Sequence, residues 1–163
     1  MSMGIEIERK FLVSDDRWRA QVRHSVAMRH GYLVPPGGRA SVRVRVEGTA
    51  GKLNIKAAVV GTTRAEYEYE IPAAEARELI DTLCEGLILK TRHYLEYGGL
   101  LWEIDEFAGA NAGLVLAEVE LERADQVFAR PAWLGREVTD EARYYNHALA
   151  WRPYRDWSEA ERR

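Results

Sequence analysis

Apolar and polar residues alternate with a period of two through most of this chain. The stretch GIEIERKFLV, residues 4–13, puts Glu6, Glu8 and Lys10 on one side and mostly apolar residues on the other. Such alternation is typical of β-strands whose two faces meet different surroundings. The pattern predicts eight strands, carried by the segments GIEIERKFLV, MRHGYLV, ASVRVRVEG, KLNIKA, TRAEYEYEIP, LILKTRHYLEY, GLLWEIDEF and GLVLAEVELER.

Short turns rich in glycine and proline separate several of these segments, which favours antiparallel hairpins. Helices are fewer. The sequence predicts a short helix capped by Ser14, a longer one between Pro72 and Gly86, and a third over roughly 140–151. Residues at helical spacing give the longer helix an apolar stripe, formed by Ala76, Leu79, Ile80 and Leu83.

The polar sides of the predicted strands carry blocks of charge instead of mixed polar residues. For any single strand, a water-exposed outer face remains the alternative interpretation. Eight antiparallel strands can close a barrel, however, and the helices need an apolar surface to cover. Together these requirements predict an α+β, mainly β fold, in which a closed eight-stranded antiparallel barrel has a charged interior and helices packed outside.

A charged interior must contain water, opposed ion pairs or a charged ligand, because burying unpaired charge is prohibitive. Lysines and arginines from several strands favour a polyanion, and arginine forks suit phosphate oxygens. Carboxylates two residues apart lie roughly 6–7 Å from each other on one strand face and can bind a hard cation. With one cysteine and four scattered histidines, the expected metal is oxygen-ligated Mg²⁺ or Mn²⁺. We therefore expect a phosphate chain bound as its metal complex.

The motifs resemble those of the CYTH superfamily, the triphosphate tunnel metalloenzymes, in the family's order. They are EIERK, VRVR, LNIK, TRAEYEYEIP, LKTRHY, WEIDEF and GLVLAEVEL, within roughly residues 4–122. The tail GREVTDEARYYNHAL is similar to that of the short bacterial inorganic triphosphatases. The resemblance implies a tunnel that binds a triphosphate and hydrolyses or cyclises it with a divalent metal.

The resemblance also implies roles for individual residues. By position, Glu6, Glu8, Glu118 and Glu120 are similar to the family's metal-binding carboxylates, with Asp105 as a further ligand. The positions that resemble its phosphate-binding cations are Lys10, Arg43, Arg45, Lys56, Lys90 and Arg92. Glu66 and Glu68 resemble tunnel carboxylates, and Tyr32 matches an aromatic position near the tunnel. The expected catalytic set is Glu6, Glu8, Lys10, Glu118 and Glu120.

Other residues receive less specific expectations. Four positions stay open between the tunnel and a rim or ion-pair role, namely Lys52, Arg64, Glu70 and Glu103. The histidines are expected at structural or surface positions, and they are His24, His30, His93 and His147. Aromatic residues are expected to pack the barrel against its helices, and they are Tyr67, Tyr69, Trp102, Trp133 and Trp151.

Length and charge limit the remaining possibilities. The 163 residues suit one domain over 1–163, with barrel strands over about 4–122 and a helical part over about 123–163. The 23 basic and 26 acidic residues nearly cancel, so neither nucleic acid nor a membrane surface is an expected partner. The lone Cys84 excludes an internal disulfide, and no apolar run is long enough for a membrane span or signal peptide. We expect a cytoplasmic monomer or homodimer.

The leading functional hypothesis is hydrolysis of inorganic tripolyphosphate to phosphate and pyrophosphate. A CYTH-type adenylate cyclase would use the same tunnel to make cyclic AMP, and thiamine or nucleoside triphosphatases are nearer alternatives. A non-catalytic polyphosphate-binding module would require disrupted metal carboxylates, whereas the sequence keeps them intact.

Overall fold

The computed structural model describes residues 4–163, so the first three positions of the predicted 1–163 domain lie outside the described residues. The strands are β1 (Ile5–Val13), β2 (His24–Tyr32), β3 (Ala40–Glu47), β4 (Ala50–Ala57), β5 (Thr63–Pro72), β6 (Gly86–Tyr97), β7 (Leu100–Ala108), β8 (Val115–Glu120) and β9 (Leu134–Glu137). The α-helices are α1 (Ala73–Thr82) and α2 (Asn146–Trp151). Short 3₁₀ turns cover Arg17–Gln21, Gly109–Asn111, Ala142–Tyr144 and Tyr154–Asp156.

The strands form one antiparallel sheet in the order β5-β4-β3-β2-β6-β7-β8-β1-β9. The sheet closes because β1 also pairs with β5, with Ile5 opposite Ala65 and Ile7 opposite Thr63. This confirms the predicted eight-stranded barrel. The ninth strand lies outside it and pairs with the end of β1.

Apolar side chains pack mostly outside the barrel, but a further cluster that includes the inward-facing Tyr32, Ile88, Phe107 and Leu116 fills one end of it. One cluster on the outer faces of β1, β6, β7 and β8 comprises Phe11, Trp18, Leu95, Trp102, Ile104, Ala117, Val119, Leu121 and Trp133. Elsewhere α1 packs Ala76 and Ile80 around Val44 of β3. Because apolar side chains take the outer face, strand alternation turns the charged ones inward. The predicted inversion of inside and outside is confirmed.

Three residues that were expected to pack are exposed. Tyr67 and Tyr69 on β5 are 52% and 55% exposed, and Leu83 is 60% exposed. Their predicted packing was wrong, because α1 lies mainly over β3 and β4 and ends before Leu83. Trp102 and Trp133 are fully buried with ring centroids 5.8 Å apart, but their cluster contains no residue of α1 or α2.

The predicted boundaries also change at three places. Strand β2 begins at His24, earlier than the MRHGYLV segment. Ser14 does not cap a helix, because its hydroxyl donates to the Trp133 carbonyl at 3.0 Å, and a 3₁₀ turn follows. The third predicted helix is divided, because Tyr145 is extended between a 3₁₀ turn and α2. Among residues 4–163, none of the helices has the length and apolar character needed to cross a membrane.

Candidate active site

A cavity of about 370 Å³ occupies the barrel interior. Inward-facing residues of the barrel strands line this cavity. They include every predicted site residue except Asp105 of β7, namely Glu6, Glu8, Lys10, Tyr32, Arg43, Arg45, Lys56, Glu66, Glu68, Lys90, Arg92, Glu118 and Glu120. Strand alternation therefore brings the predicted carboxylates and cations into one tunnel.

The acidic cluster is built by the pairing of β1 with β8. Glu8 lies opposite Glu120 and Lys10 opposite Glu118, while Glu6 lies one inward position further along β1. Burial in the tunnel, together with the charges of Glu118 and Glu6, raises the pKa of Glu8 to about 7. Glu8 is therefore partly protonated near neutral pH.

Glu118 and Glu6 each have a close cationic partner, but only the pKa of Glu118 is lowered, because burial still raises the pKa of Glu6. Burial opposes ionisation of Glu118, but Lys10, Arg92 and Lys90 lower its pKa to about 2. The Lys10 Nζ lies 3.2 Å from Glu118 Oε1, and the Lys56 Nζ lies 3.0 Å from Glu6 Oε2. Within residues 4–163, no three acidic, histidine or cysteine side chains converge closely enough to hold a metal as they stand. The Lys10–Glu118 and Lys56–Glu6 ion pairs must open before these carboxylates can share a metal ion.

The tunnel cations lie on several strands and contact tunnel carboxylates. Arg43 and Arg45 of β3 approach Glu68 Oε2 at 3.4 and 3.8 Å. Asn54 fixes this side of the tunnel, because its amide donates to Glu66 at 3.2 Å and to Glu68 at 3.1 Å. A polyanion entering here would replace the carboxylates as the partner of the arginines.

Asp105, which the resemblance implies as a further metal ligand, is bonded to two cations. It is fully buried and does not line the cavity. Lys90 Nζ bonds to its Oδ2 at 2.7 Å, and Arg92 binds both of its oxygens at 2.7 and 2.8 Å. Because both oxygens already accept from cations, this geometry favours Asp105 as a residue that positions Lys90 and Arg92.

Comparison with known proteins bears on what this tunnel is. A CYTH domain profile matches residues 4–148. The chain belongs to the CYTH family. An inorganic triphosphatase of Acetivibrio thermocellus is 45% identical over 158 residues, covering 96% of this chain and 100% of that protein. An inorganic triphosphatase of Nitrosomonas europaea is 40% identical over 149 residues, covering 89% of this chain and 96% of that protein.

Solved structures agree with the CYTH assignment. The crystal structure of an inorganic triphosphatase superposes with a TM-score of 0.66 at 38% identity, covering 89% of this chain and 97% of that one. A protein from Pyrococcus horikoshii superposes with a TM-score of 0.58 at 18% identity, covering 74% of this chain and 80% of that one. At that identity the second likeness concerns the fold alone.

One end of the CYTH tunnel is covered by a segment that sequence reasoning did not assign to the site. Residues of the stretch 142–148 line the cavity. The Lys90 Nζ donates to Asn146 Oδ1 at 3.1 Å, and the ring of His147 stacks on Tyr32 at 4.8 Å. The tail motif GREVTDEARYYNHAL pointed to this segment, but strand periodicity could not place it at the tunnel.

Tyr145 connects this covering segment to the barrel. Its hydroxyl donates to the Thr139 carbonyl and accepts from the Gly61 amide at 3.1 Å. Its ring lies 5.2 Å from Lys10 Nζ and 4.8 Å from the guanidinium carbon of Arg64. The side chain therefore touches two tunnel cations at once.

The four residues left open by the sequence divide into two groups. Arg64 and Glu103 line the cavity, whereas Lys52 and Glu70 do not. Arg64 Nε lies 3.6 Å from Glu6 Oε1, and Glu103 accepts from Arg92 at 2.6 Å. Lys52 approaches Glu68 at 3.7 Å, which suits an ion-pair role.

Proposed function

We propose that this chain is a metal-dependent inorganic triphosphatase that hydrolyses tripolyphosphate to phosphate and pyrophosphate inside the tunnel. The observation that carries the proposal is the meeting of cations and carboxylates from opposite walls in one cavity. Support also comes from the two relatives named inorganic triphosphatase, which match nearly the whole chain.

The cations bind the substrate in this proposal. Carboxylates of the tunnel are the contact partners of Lys10, Arg43, Arg45, Lys56 and Arg92. A phosphate chain carries more negative charge than these carboxylates, and its oxygens suit the bidentate geometry of an arginine guanidinium. Binding therefore exchanges ion pairs within the protein for ion pairs with the phosphate chain, which holds the terminal phosphorus in place for attack.

The acidic cluster fits a divalent cation such as Mg²⁺ or Mn²⁺. Carboxylate oxygens are the donors that these hard ions prefer. The raised pKa of Glu8, caused by burial and by Glu118 and Glu6, is an unfavourable crowding of negative charge that a cation would relieve. We assign the metal to Glu6, Glu8, Glu118 and Glu120. When bound, it supplies charge neutralisation on the phosphate chain and acidifies the attacking water.

The remaining chemistry falls to groups of the chain. Water attacks the terminal phosphorus, the bond from that phosphorus to the bridging oxygen breaks, and pyrophosphate leaves. A carboxylate oxygen of the acidic cluster accepts the proton of the water. Lys10 and Arg92 stabilise the charge that develops on the phosphoryl oxygens. The segment at 142–148 limits access of bulk water at its end of the tunnel.

A substrate panel tests this proposal. Purified protein with Mg²⁺ or Mn²⁺ is incubated with tripolyphosphate, ATP or thiamine triphosphate, and phosphate, pyrophosphate and cyclic AMP are measured separately. We expect tripolyphosphate to be turned over fastest, with phosphate and pyrophosphate in equal amounts. Cyclic AMP and pyrophosphate from ATP would instead identify a cyclase, and binding without turnover would identify a binding module.

A further inference from the structure

His30 lies on the tunnel-facing side of β2, although sequence reasoning placed it at a structural or surface position. It shares this face with Tyr32, which lines the cavity, while its neighbour Arg29 reaches an aspartate of α1 on the outside. Across the sheet His30 lies opposite Arg45 of β3 and Ile88 of β6. The ring is therefore turned inward next to a predicted phosphate-binding arginine, just behind the residues that line the cavity.

The hydrogen-bonding capacity of this histidine is unused. Its side chain is fully buried, and neither ring nitrogen has a hydrogen-bond partner among the described residues. Buried polar atoms without partners are rare in folded proteins, because each forfeits its hydrogen bond to water. A purely structural position would be filled at lower cost by an apolar side chain of similar size.

Arg45, on the facing strand, has a buried donor that lacks a hydrogen bond. Its Nε is also buried without a hydrogen-bond partner in the part of the chain that the structure describes. That nitrogen lies 2.8 Å from Glu47 Oε1 in an ion pair, yet the two are not aligned as a hydrogen bond. A donor that is ion-paired but not hydrogen-bonded and an acceptor without a hydrogen bond thus occupy opposing inward positions on β3 and β2.

The charge state of His30 suits an acceptor. Burial, followed by the positive charges of Lys90, Arg43, Arg45 and Arg92, lowers the pKa of His30 well below its ordinary value. The imidazole is therefore neutral, and one of its nitrogens carries a free lone pair.

We propose that His30 is a positioning residue for Arg45. In the substrate-bound tunnel, a ring nitrogen of His30 accepts the Nε–H of Arg45. The two terminal nitrogens of the guanidinium are then free to fork onto phosphate oxygens in place of Glu68. This inference rests on the proposed function, because it takes a phosphate chain as the ligand of Arg45.

The test compares His30→Gln with His30→Met. The two new side chains have similar lengths, but only glutamine has an oxygen that can accept the Arg45 hydrogen bond. Binding of tripolyphosphate is measured by calorimetry without metal, so that turnover is not needed. Loss of one hydrogen bond to a charged group should raise Kd about tenfold or more in His30→Met. The His30→Gln variant should stay within about threefold of the wild type.

Two further variants sharpen the comparison. His24→Phe changes an exposed histidine on the same strand and outside the cavity lining, so it should bind as the wild type does. In an Arg45→Met background, exchanging His30 for Met should change Kd by less than about twofold, since coupled residues are not additive. Thermal melts check that each variant is folded, and His30→Phe replaces His30→Met if the latter does not fold.

The outcomes are separable. If the wild type neither binds nor hydrolyses tripolyphosphate, the proposed function itself fails. If the wild type binds but His30→Met binds equally well, the positioning role is refuted. Equal losses of affinity in His30→Gln and His30→Met would also refute it, because His30 would then act through packing. A full loss of affinity that persists in the Arg45→Met background would refute it as well, because His30 would then act independently of Arg45.

Discussion

Asp105 provides a direct test of how the charged tunnel is held together. Its carboxylate is fully buried and accepts from Lys90 and from both donors of the Arg92 fork, at distances between 2.7 and 2.8 Å. The substitution Asp105→Asn keeps the size of the side chain and removes its charge. Two buried cations would then lose the one carboxylate among the described residues that bonds to both of them.

The expected cost is large for a single substitution. Removing one partner of a buried ion pair typically destabilises a protein by about 3–5 kcal/mol. For a chain of this length that corresponds to a fall in Tm of about 6–20 °C. Glu103 and Glu118 still neutralise part of the Arg92 charge, which argues for the lower half of that range.

Thermal melts at neutral pH measure this effect, with Asp125→Asn as the matched control. Asp125 pairs with Arg123 at 3.3 Å, but its side chain is 87% exposed, so its loss should change stability by less than about 1 kcal/mol. Equal melting temperatures for the two variants would refute the reasoning.

The pH dependence gives a second check on Asp105. Burial alone would raise the pKa of Asp105, but Arg92 and Lys90 lower it below its ordinary value. Its stabilising contribution is therefore fully present above the unfolded pKa of about 3.9 and is lost as pH falls through the folded pKa. The difference in Tm between wild type and Asp105→Asn should therefore shrink in strong acid. It should also fall as pH rises above about 7, because burial and Arg92 lower the pKa of Lys90 to about 7 and the neutral amine no longer forms an ion pair with Asp105.

Three further predictions follow from the same structure. Affinity for Mg²⁺ should rise as pH increases through about 7, because Glu8, whose pKa is raised to about 7, must lose its proton to bind the ion. Calorimetry that shows no change in affinity across this pH range would contradict this prediction. Gly86→Ala places a Cβ in collision with the Trp151 ring and should cost about 1–3 kcal/mol in denaturant unfolding. Gly38→Ala, whose Cβ meets no atom within 4 Å, should not. Tyr67→Thr should leave Tm nearly unchanged, because the ring is 52% exposed; a large fall would mean that the outer face of β5 is packed.

The fold could be predicted because the dominant signal is local. A period of two assigns each residue of β1 or β8 to a face, and blocks of like charge such as Glu6 with Glu8 are costly unless they meet opposite charge. The same alternation also marks His30 beside Tyr32. That position was missed because a single histidine without ligand spacing carries no chemical signal of its own.

The remaining features depend on contacts between distant segments. Alternation places Asp105 on the inward face, but it does not indicate whether the carboxylate binds a metal ion or the side chains of Lys90 and Arg92. Tyr145 and Asn146 reach the tunnel because the chain passes outside the barrel, adds β9 beside β1 and returns over one end. Helical periodicity cannot specify that path, nor the break at Tyr145.

The most direct test of the central claim, that the charged tunnel is the active site, is turnover of tripolyphosphate with Mg²⁺ by Glu6→Gln and Glu118→Gln. Both substitutions preserve side-chain shape and remove one carboxylate from the acidic cluster. The account predicts that phosphate release falls by at least about 100-fold in each folded variant. Rates near that of the wild type in both variants would contradict it.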